Sequence, residues 1–355
     1  MNSRERVISA FERIRSDHVP VDYSANPGID QKLKQHYGLQ PRDHEGLKKV
    51  LGIDFRAVNI RYIGPPLHQV VPDSAIRIDE LWGWHTKYIE HESGGYWDFC
   101  DFPLADADEE AIAAWSLPDP DDFDYSTVAA QCLRYDEYAI SFPCFGDFIN
   151  ANGMLRGMEQ TLVDLVTDDP AGLLLAKRRF DIQIGMAERV LDAAKGRIDF
   201  VWLGEDLGTQ DRPMISMATF QKHIKPEYKK YIDMVKSYRT KTMLHTCGSS
   251  SWAYGEFIKM GLDAVDTLQP ECKDMSPKYL VDEFGGRLSF HGCISTAGPL
   301  SFGSADDVRS EVRNVLEIMK PTNSYMLSPT HMIQDNSPVE NVVAMYESAK
   351  ESGKY

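Results

Sequence analysis

The stretch KTMLHTCGSS, residues 241–250, is a short β-prone apolar run that stops abruptly in a polar, glycine-containing turn, with His245 and Cys247 where it stops. The same pattern recurs along the chain. VPVDYS (19–24), DFRAVNI (54–60), YAISFP (138–143), DFVWLG (199–204), TMLHT (242–246), DAVDTL (263–268), LSFHG (288–292) and SYMLS (324–328) read as eight strands, most of them separated by longer helical patterns. Strands and helices in rotation build a parallel sheet with helices packed against it. Eight such units predict one α/β domain over residues 1–355, a single (β/α)8 TIM barrel with an N-terminal helical extension. A doubly wound open sheet is the alternative, disfavoured because no strand runs into a G-x-G-x-x-G turn.

The helical patterns carry their own punctuation. In SADDVRSEVRNVLEIMK, Val308, Val312, Val315, Leu316 and Met319 share one face, Ser304 is placed as the N-cap, and acidic residues fill the first turn. One segment, IRIDELWGWHTKYIEHESGGYWDFCDFPL (76–104), breaks the rhythm. Its partial alternation predicts a β-hairpin turning at Gly94 and Gly95, which in a barrel is an insertion in a βα loop on the catalytic face. Two readings of its aromatic residues stand side by side. Trp82, Trp84 and Trp97, with Tyr88 and Tyr96, either wall a substrate pocket or form a satellite core beneath a long loop.

Composition narrows the partners. With 54 acidic against 38 basic side chains the formal charge is −16, which argues against a nucleic-acid or anionic-membrane surface and for a small-molecule substrate. No apolar run is long enough to cross a bilayer, and MNSRERVISAFERIRSD reads as an amphipathic helix rather than a signal peptide, so a cytoplasmic protein is expected. The cysteines at 100, 132, 144, 247, 272 and 293 form no close-set framework and are read as free thiols, core residues or ligands.

In a (β/α)8 barrel the chemistry lies at the C-terminal ends of the strands. There the chain offers Glu205 and Asp206 in GEDLGTQ, His245 and Cys247 in HTCG, Gln269 and Glu271 in LQPE, His291 in HGC and His331 in SPTHMIQD. His-x-Cys in a turn can bring an imidazole nitrogen and a thiolate onto one ion. With His331 as third ligand the set suits zinc, the fourth position falling to water, substrate or an oxygen of Gln269, Glu271 or Glu205. Glu205 and His291 are the candidate catalytic groups, and Gln269 is also a candidate substrate contact. Asp206 is expected to bond loop amides.

These motifs, in this order, resemble the uroporphyrinogen decarboxylase superfamily and specifically its branch of decarboxylase-like proteins and corrinoid-linked methyltransferases. The resemblance runs from RERVISAFE (4–12) through DELWG (79–83), LRGMEQTLVDLVTDDP (155–170), GEDLGTQ (204–210), HTCGSS (245–250) and GGRLSFHGCIST (285–296) to SPTHMIQDNSPVENVVAMYESAK (328–350). It implies a (β/α)8 barrel, a homodimer and, for the methyltransferase branch, Zn²⁺ held by His-x-Cys and a distant Cys, with the methyl group carried by a methylcorrinoid on a partner protein. His245 and Cys247 match the first two ligands; His331 stands where that branch has Cys. The decarboxylases of the superfamily have an arginine-rich segment after their first strand, whereas this chain has VDYSANPGIDQK (21–32). Three functions follow: a zinc-dependent methyltransferase, a metal-independent decarboxylase or lyase on a porphyrin-like or aromatic acid using Glu205 or His331 in proton transfer, and a non-catalytic binding protein.

Overall fold

The computed structural model describes residues 1–71, 74–91, 94–143 and 146–355. The strands are β1 (Phe55–Ala57), β2 (Arg61–Tyr62), β3 (Ile76–Ile78), β4 (His85–His91), β5 (Gly94–Cys100), β6 (Phe123–Asp124), β7 (Ala139–Pro143), β8 (Phe200–Gly204), β9 (Lys241–Thr246), β10 (Ala264–Thr267), β11 (Ser289–Ile294) and β12 (Tyr325–Pro329). Seven of them, β1-β7-β8-β9-β10-β11-β12, form one curled, wholly parallel sheet in sequence order. Strands β10, β11 and β12 are buried at every position, as expected of a parallel sheet covered on both faces.

The run at 19–24 does not form a strand. Only isolated bridges tie it down, Val21 to Leu327 and Ala25 to Ile333. Pro20 has no N–H to give to a ladder, and the Val21 N–H goes to the Asp54 carboxylate at 2.9 Å rather than to a backbone carbonyl. The segment still bonds on both sides: Leu327 N–H donates to the Pro20 carbonyl at 2.8 Å, and Asp54 N–H to the Val21 carbonyl at 2.9 Å. It therefore lies between the edge strands β12 and β1.

Helices occupy the connections. The 25-residue helix Pro170–Ala194 starts from Asp169, whose side chain accepts the Gly172 N–H, with Pro170 in the first turn where its missing donor costs nothing. Helix Ala305–Met319 begins at Ser304 in a reciprocal capping box with Asp307, and buries the five apolar residues that share its face. Each such fully buried Val or Leu contributes about 1.5–3 kcal/mol relative to exposure. Helices Ser3–Glu12, Pro27–His36 and His44–Leu51 precede the sheet.

The hairpin forms as part of a three-stranded antiparallel sheet, β3-β4-β5. Its turn is not at the two glycines. His91 pairs with Gly94 and Glu90 with Gly95, so both glycines belong to the return strand, and residues 92 and 93 lie outside the described residues. A Cβ at Gly95 would come within 2.3 Å of the Tyr88 hydroxyl, so this glycine makes room for a ring. Cys144 also lies outside the described residues; the other five cysteines are free. No helix among the described residues is long and apolar enough to cross a membrane.

Candidate metal centre and cavity

Strand register builds the site. Asp266 of β10 stands opposite His245 of β9 on one side and His291 of β11 on the other, so three polar side chains lie abreast on adjacent buried strands. Asp266 bridges the two rings: its Oδ2 lies 2.7 Å from His245 Nδ1 and its Oδ1 2.6 Å from His291 Nδ1. Burial alone would push this carboxyl up, but the two imidazoles outweigh it and hold Asp266 below the usual carboxylate range. With Nδ1–H given to Asp266, the other nitrogen of His245 is turned toward the loop.

That nitrogen, Nε2, sits 3.4 Å from Cys247 Sγ and 3.9 Å from Asp206 Oδ1. Among the described residues, Asp206, His245 and Cys247 are the group whose ligand atoms lie mutually within 4.8 Å, and each is half-buried. Asp206 also accepts the Cys247 N–H at 3.0 Å, so the expected loop-amide role and a place in the cluster fall to one carboxylate. Burial raises the Cys247 thiol, opposed by His245. For His245, burial favours the neutral ring, yet Asp266 and then Cys247 carry its pKa well above the ordinary imidazole value.

Two βα loops hold this cluster by close backbone contact. Gly248 has φ +74° and a Cβ there would meet the Gly208 carbonyl oxygen at 2.1 Å; a Cβ at Gly208 would meet the Ser249 backbone at 2.5 Å. Ser249 N–H donates to the Thr209 carbonyl at 2.7 Å. Gln269 contributes here rather than to the cavity wall, its Oε1 accepting the Gly248 N–H at 2.6 Å. Glu271 accepts from the Ser295 hydroxyl at 3.1 Å.

Of the cluster, His245 also lines a cavity of about 720 Å³, together with Glu205, Asp266, His291, His331, Tyr23, Phe55 and Trp202, whereas Asp206 and Cys247 do not. Glu205 is fully buried; it accepts the N–H groups of Phe148 at 2.7 Å and Ile149 at 3.0 Å. Burial first, and the neighbouring Asp147 second, raise its pKa well above the carboxylate range, against the two amide donors that favour the charged form. Asp147, with its own amide bond from Ala151, is pushed up to about 6 by burial against the pull of Arg179. His291 is lowered by burial but lifted to about 9 by Asp266 and Asp22. Its Nε2 is 3.3 Å from Asp22 Oδ2, yet is not aligned for a hydrogen bond.

His331 reaches the cavity but not the cluster. It is exposed, and its Nδ1 lies 3.2 Å from Gln334 Nε2 and 3.3 Å from the Met332 carbonyl. Trp82, Trp84 and Trp97 do not line the cavity. Trp82 and Trp84 stack at 6.3 Å, and Trp84 packs on a small satellite core of Leu104, Ile112, Leu155, Ala171 and Leu175. Trp97 is 48% exposed and meets Tyr88 edge-on at 5.6 Å. Their large apolar surfaces satisfy one another and the outer helices, and the cavity takes Trp202 of β8 instead. Asp266 is the site residue that sequence reasoning missed; its signal was a carboxylate inside an apolar run, a residue type almost never fully buried without a partner.

The parallel α/β sheet with titratable groups gathered at its strand ends defines a class of barrel-like enzyme folds, and comparison with known proteins narrows it. Residues 200–352 match the family described as uroporphyrinogen decarboxylase (URO-D), which bears out the resemblance carried by the motifs of that stretch. No curated protein matches the chain by sequence. Among solved structures, a methyltransferase from Methanosarcina mazei superposes with a TM-score of 0.64 at 15% identity, covering 99% of both chains, and shares the fold. Xylanase 10B from Thermotoga maritima gives a TM-score of 0.47 at 10% identity, over 99% of this chain and 98% of its own.

Proposed function

We propose that the chain is a zinc-dependent methyltransferase on a (β/α)8 barrel, with residues 19–24 as the eighth stave and the hairpin inserted on the catalytic face. The observation that carries this reading is the donor set: imidazole Nε2, thiol sulfur and carboxylate oxygen mutually within 4.8 Å, with the imidazole oriented from behind by Asp266. Nitrogen, sulfur and oxygen donors in this combination suit zinc, and a carboxylate behind a ligating histidine is the usual way its tautomer is fixed. The URO-D match over 200–352 and the fold shared with a methyltransferase support the same direction. When bound, the metal would supply Lewis acidity, keeping a sulfur or oxygen nucleophile deprotonated at neutral pH.

The chain's own residues do the rest. His245, Cys247 and Asp206 would hold the ion, with His331 closing over it from the last βα loop as a further ligand or a substrate contact. Asp266 keeps the Nε2 lone pair of His245 aimed at the ion. Glu205, buried and with its pKa raised, would be the group that gives a hydrogen bond or a proton into the cavity, with His291 as a second proton carrier. The methyl group would come from a methylated small molecule or from a methylcorrinoid on a partner protein. The protein would work in the cytoplasm as a homodimer.

Metal analysis of freshly purified protein tests this: about one zinc per chain is expected, and Cys247→Ser should lose most of it. No zinc after incubation with excess metal overturns the reading. The raised Glu205 favours a second function, a metal-independent decarboxylase or lyase with Glu205 as general acid. That reading is supported if turnover of an acid substrate survives exhaustive chelation and is lost in Glu205→Gln.

A further inference from the structure

The cavity carries a cation with no partner. Lys48, on helix His44–Leu51, lines it, and among the described residues its ammonium makes no hydrogen bond or ion pair. Burial holds Lys48 below the usual ammonium range, and Asp22 opposes this without coming into contact. The cavity's other basic chain, Arg56, is fully committed: two bonds of 2.9 Å go to the Glu45 carboxylate and two more to the carbonyls of Ile53 and Phe55. Among the described cavity residues Lys48 is therefore the cation that no carboxylate contacts, whereas His245 lies against Asp266, and His291 against Asp266 and Asp22.

The carboxylates there are already engaged. Glu205 and Asp147 accept backbone amides, Asp266 bridges two imidazoles, and Asp22 accepts the Tyr23 N–H at 2.7 Å while lying against His291. A cationic ligand would find no idle anion. Two further donors among the described residues are idle: Thr267 Oγ1, with the residue 3% exposed, and His291 Nε2 are both buried, line the same cavity and make no aligned hydrogen bond. A buried hydroxyl left unsatisfied is costly unless something brought in completes it, and the half-buried ammonium of Lys48 gains from a ligand anion that replaces the water it has lost.

Resting on the reading of this cavity as the substrate site, we propose that Lys48, with the Thr267 hydroxyl, anchors a carboxylate of the substrate, and that the substrate is a small apolar monoacid. A single cation left uncontacted by any carboxylate suits one ligand carboxylate and not a polyacid such as a porphyrinogen bearing eight. Tyr23, Phe55, Trp202, Met154 and Met332 line the remainder, matching a flat or aromatic body, and a volume of about 720 Å³ accepts one.

Titration calorimetry with benzoate and its neutral isostere benzamide, on the full chain with and without added zinc, tests the anchor. Benzoate should bind at least about tenfold more tightly than benzamide, the scale of one charge-assisted hydrogen bond. Lys48→Met should abolish that preference while leaving zinc content and melting temperature intact, and Lys48→Arg should retain part of it. Equal binding of the two probes, no benzoate binding up to about 20 mM, which is weaker than roughly −2.3 kcal/mol, or a preference that survives Lys48→Met would overturn the proposal. Failure to bind zinc in every variant would instead count against the metal reading and leave the anchor standing.

Discussion

The site strands and the hairpin are both rich in conspicuous residues, yet only one of them builds a cavity. On β9, β10 and β11 the parallel register puts His245, Asp266 and His291 at one level, and the curl of the sheet turns them inward. On β4 and β5 the antiparallel pairing sets Tyr88 directly opposite Trp97, both of which face solvent. The difference lies in what each residue type needs. A titratable side chain in a dry strand must find a partner, and so it gathers others around it. An aromatic ring needs only contact area, which a neighbouring ring or a helix supplies anywhere on the surface.

The contrast is tested most severely at the bridging carboxylate. Asp266→Asn takes the carboxylate charge from both imidazole bonds and leaves one acceptor where there were two, while keeping the shape, and should weaken zinc binding by about 10–100-fold. Competition against a chromophoric chelator reads the affinity, and a melting curve shows whether the fold survives. Undiminished affinity in a folded variant would mean that His245 is oriented by something else. A smaller effect is expected from pH. Asp147 titrates near 6 when folded, above the ordinary carboxyl value, so the folded state binds more protons than the unfolded state between about 4 and 6. Stability from this group is therefore present at acid pH and lost as pH rises through 6. Asp147→Asn, which keeps the acceptor for the Ala151 amide, should gain melting temperature relative to wild type at pH 7 and not at pH 4.5. The smallest effect belongs to the hairpin: Trp97→Leu should shift stability by no more than about 0.5 kcal/mol and leave zinc affinity unchanged. A large loss of either would bring the hairpin into the functional site after all.

Much of the sheet could be read from the chain because its strands are buried on both faces and so appear as uninterrupted apolar runs. All seven sheet strands fall within or against such runs. The segment 19–24 reads the same way and behaves differently, because one proline removes the donor that a ladder would need. His245 and Cys247 were legible through their spacing, and the placing of Asp206 beside them was not, since it depends on the β8–β9 register and on how the loops beyond those strands wedge together. Lys48 was invisible for a different reason. Its helix, HEGLKKVL, has ordinary amphipathic spacing, and what makes one of its lysines special is which element it leans over. The tryptophans left two readings open because aromatic content announces contact area without saying where it is found, and Trp84 lies against the satellite core.

The glycine contact between the loops after β8 and β9 bears on how such a protein can change. With Gly208 and Gly248 pressed backbone to backbone, neither loop can lengthen or acquire a side chain at the contact without displacing the other, and with it Asp206 or Cys247. Variation that retunes what the cavity accepts is thereby channelled to the opposite rim, where helix His44–Leu51 and the loop around His331 border the same space without that wedge. A library aimed at new acceptors or donors would do best to randomise there and to leave the two glycines untouched.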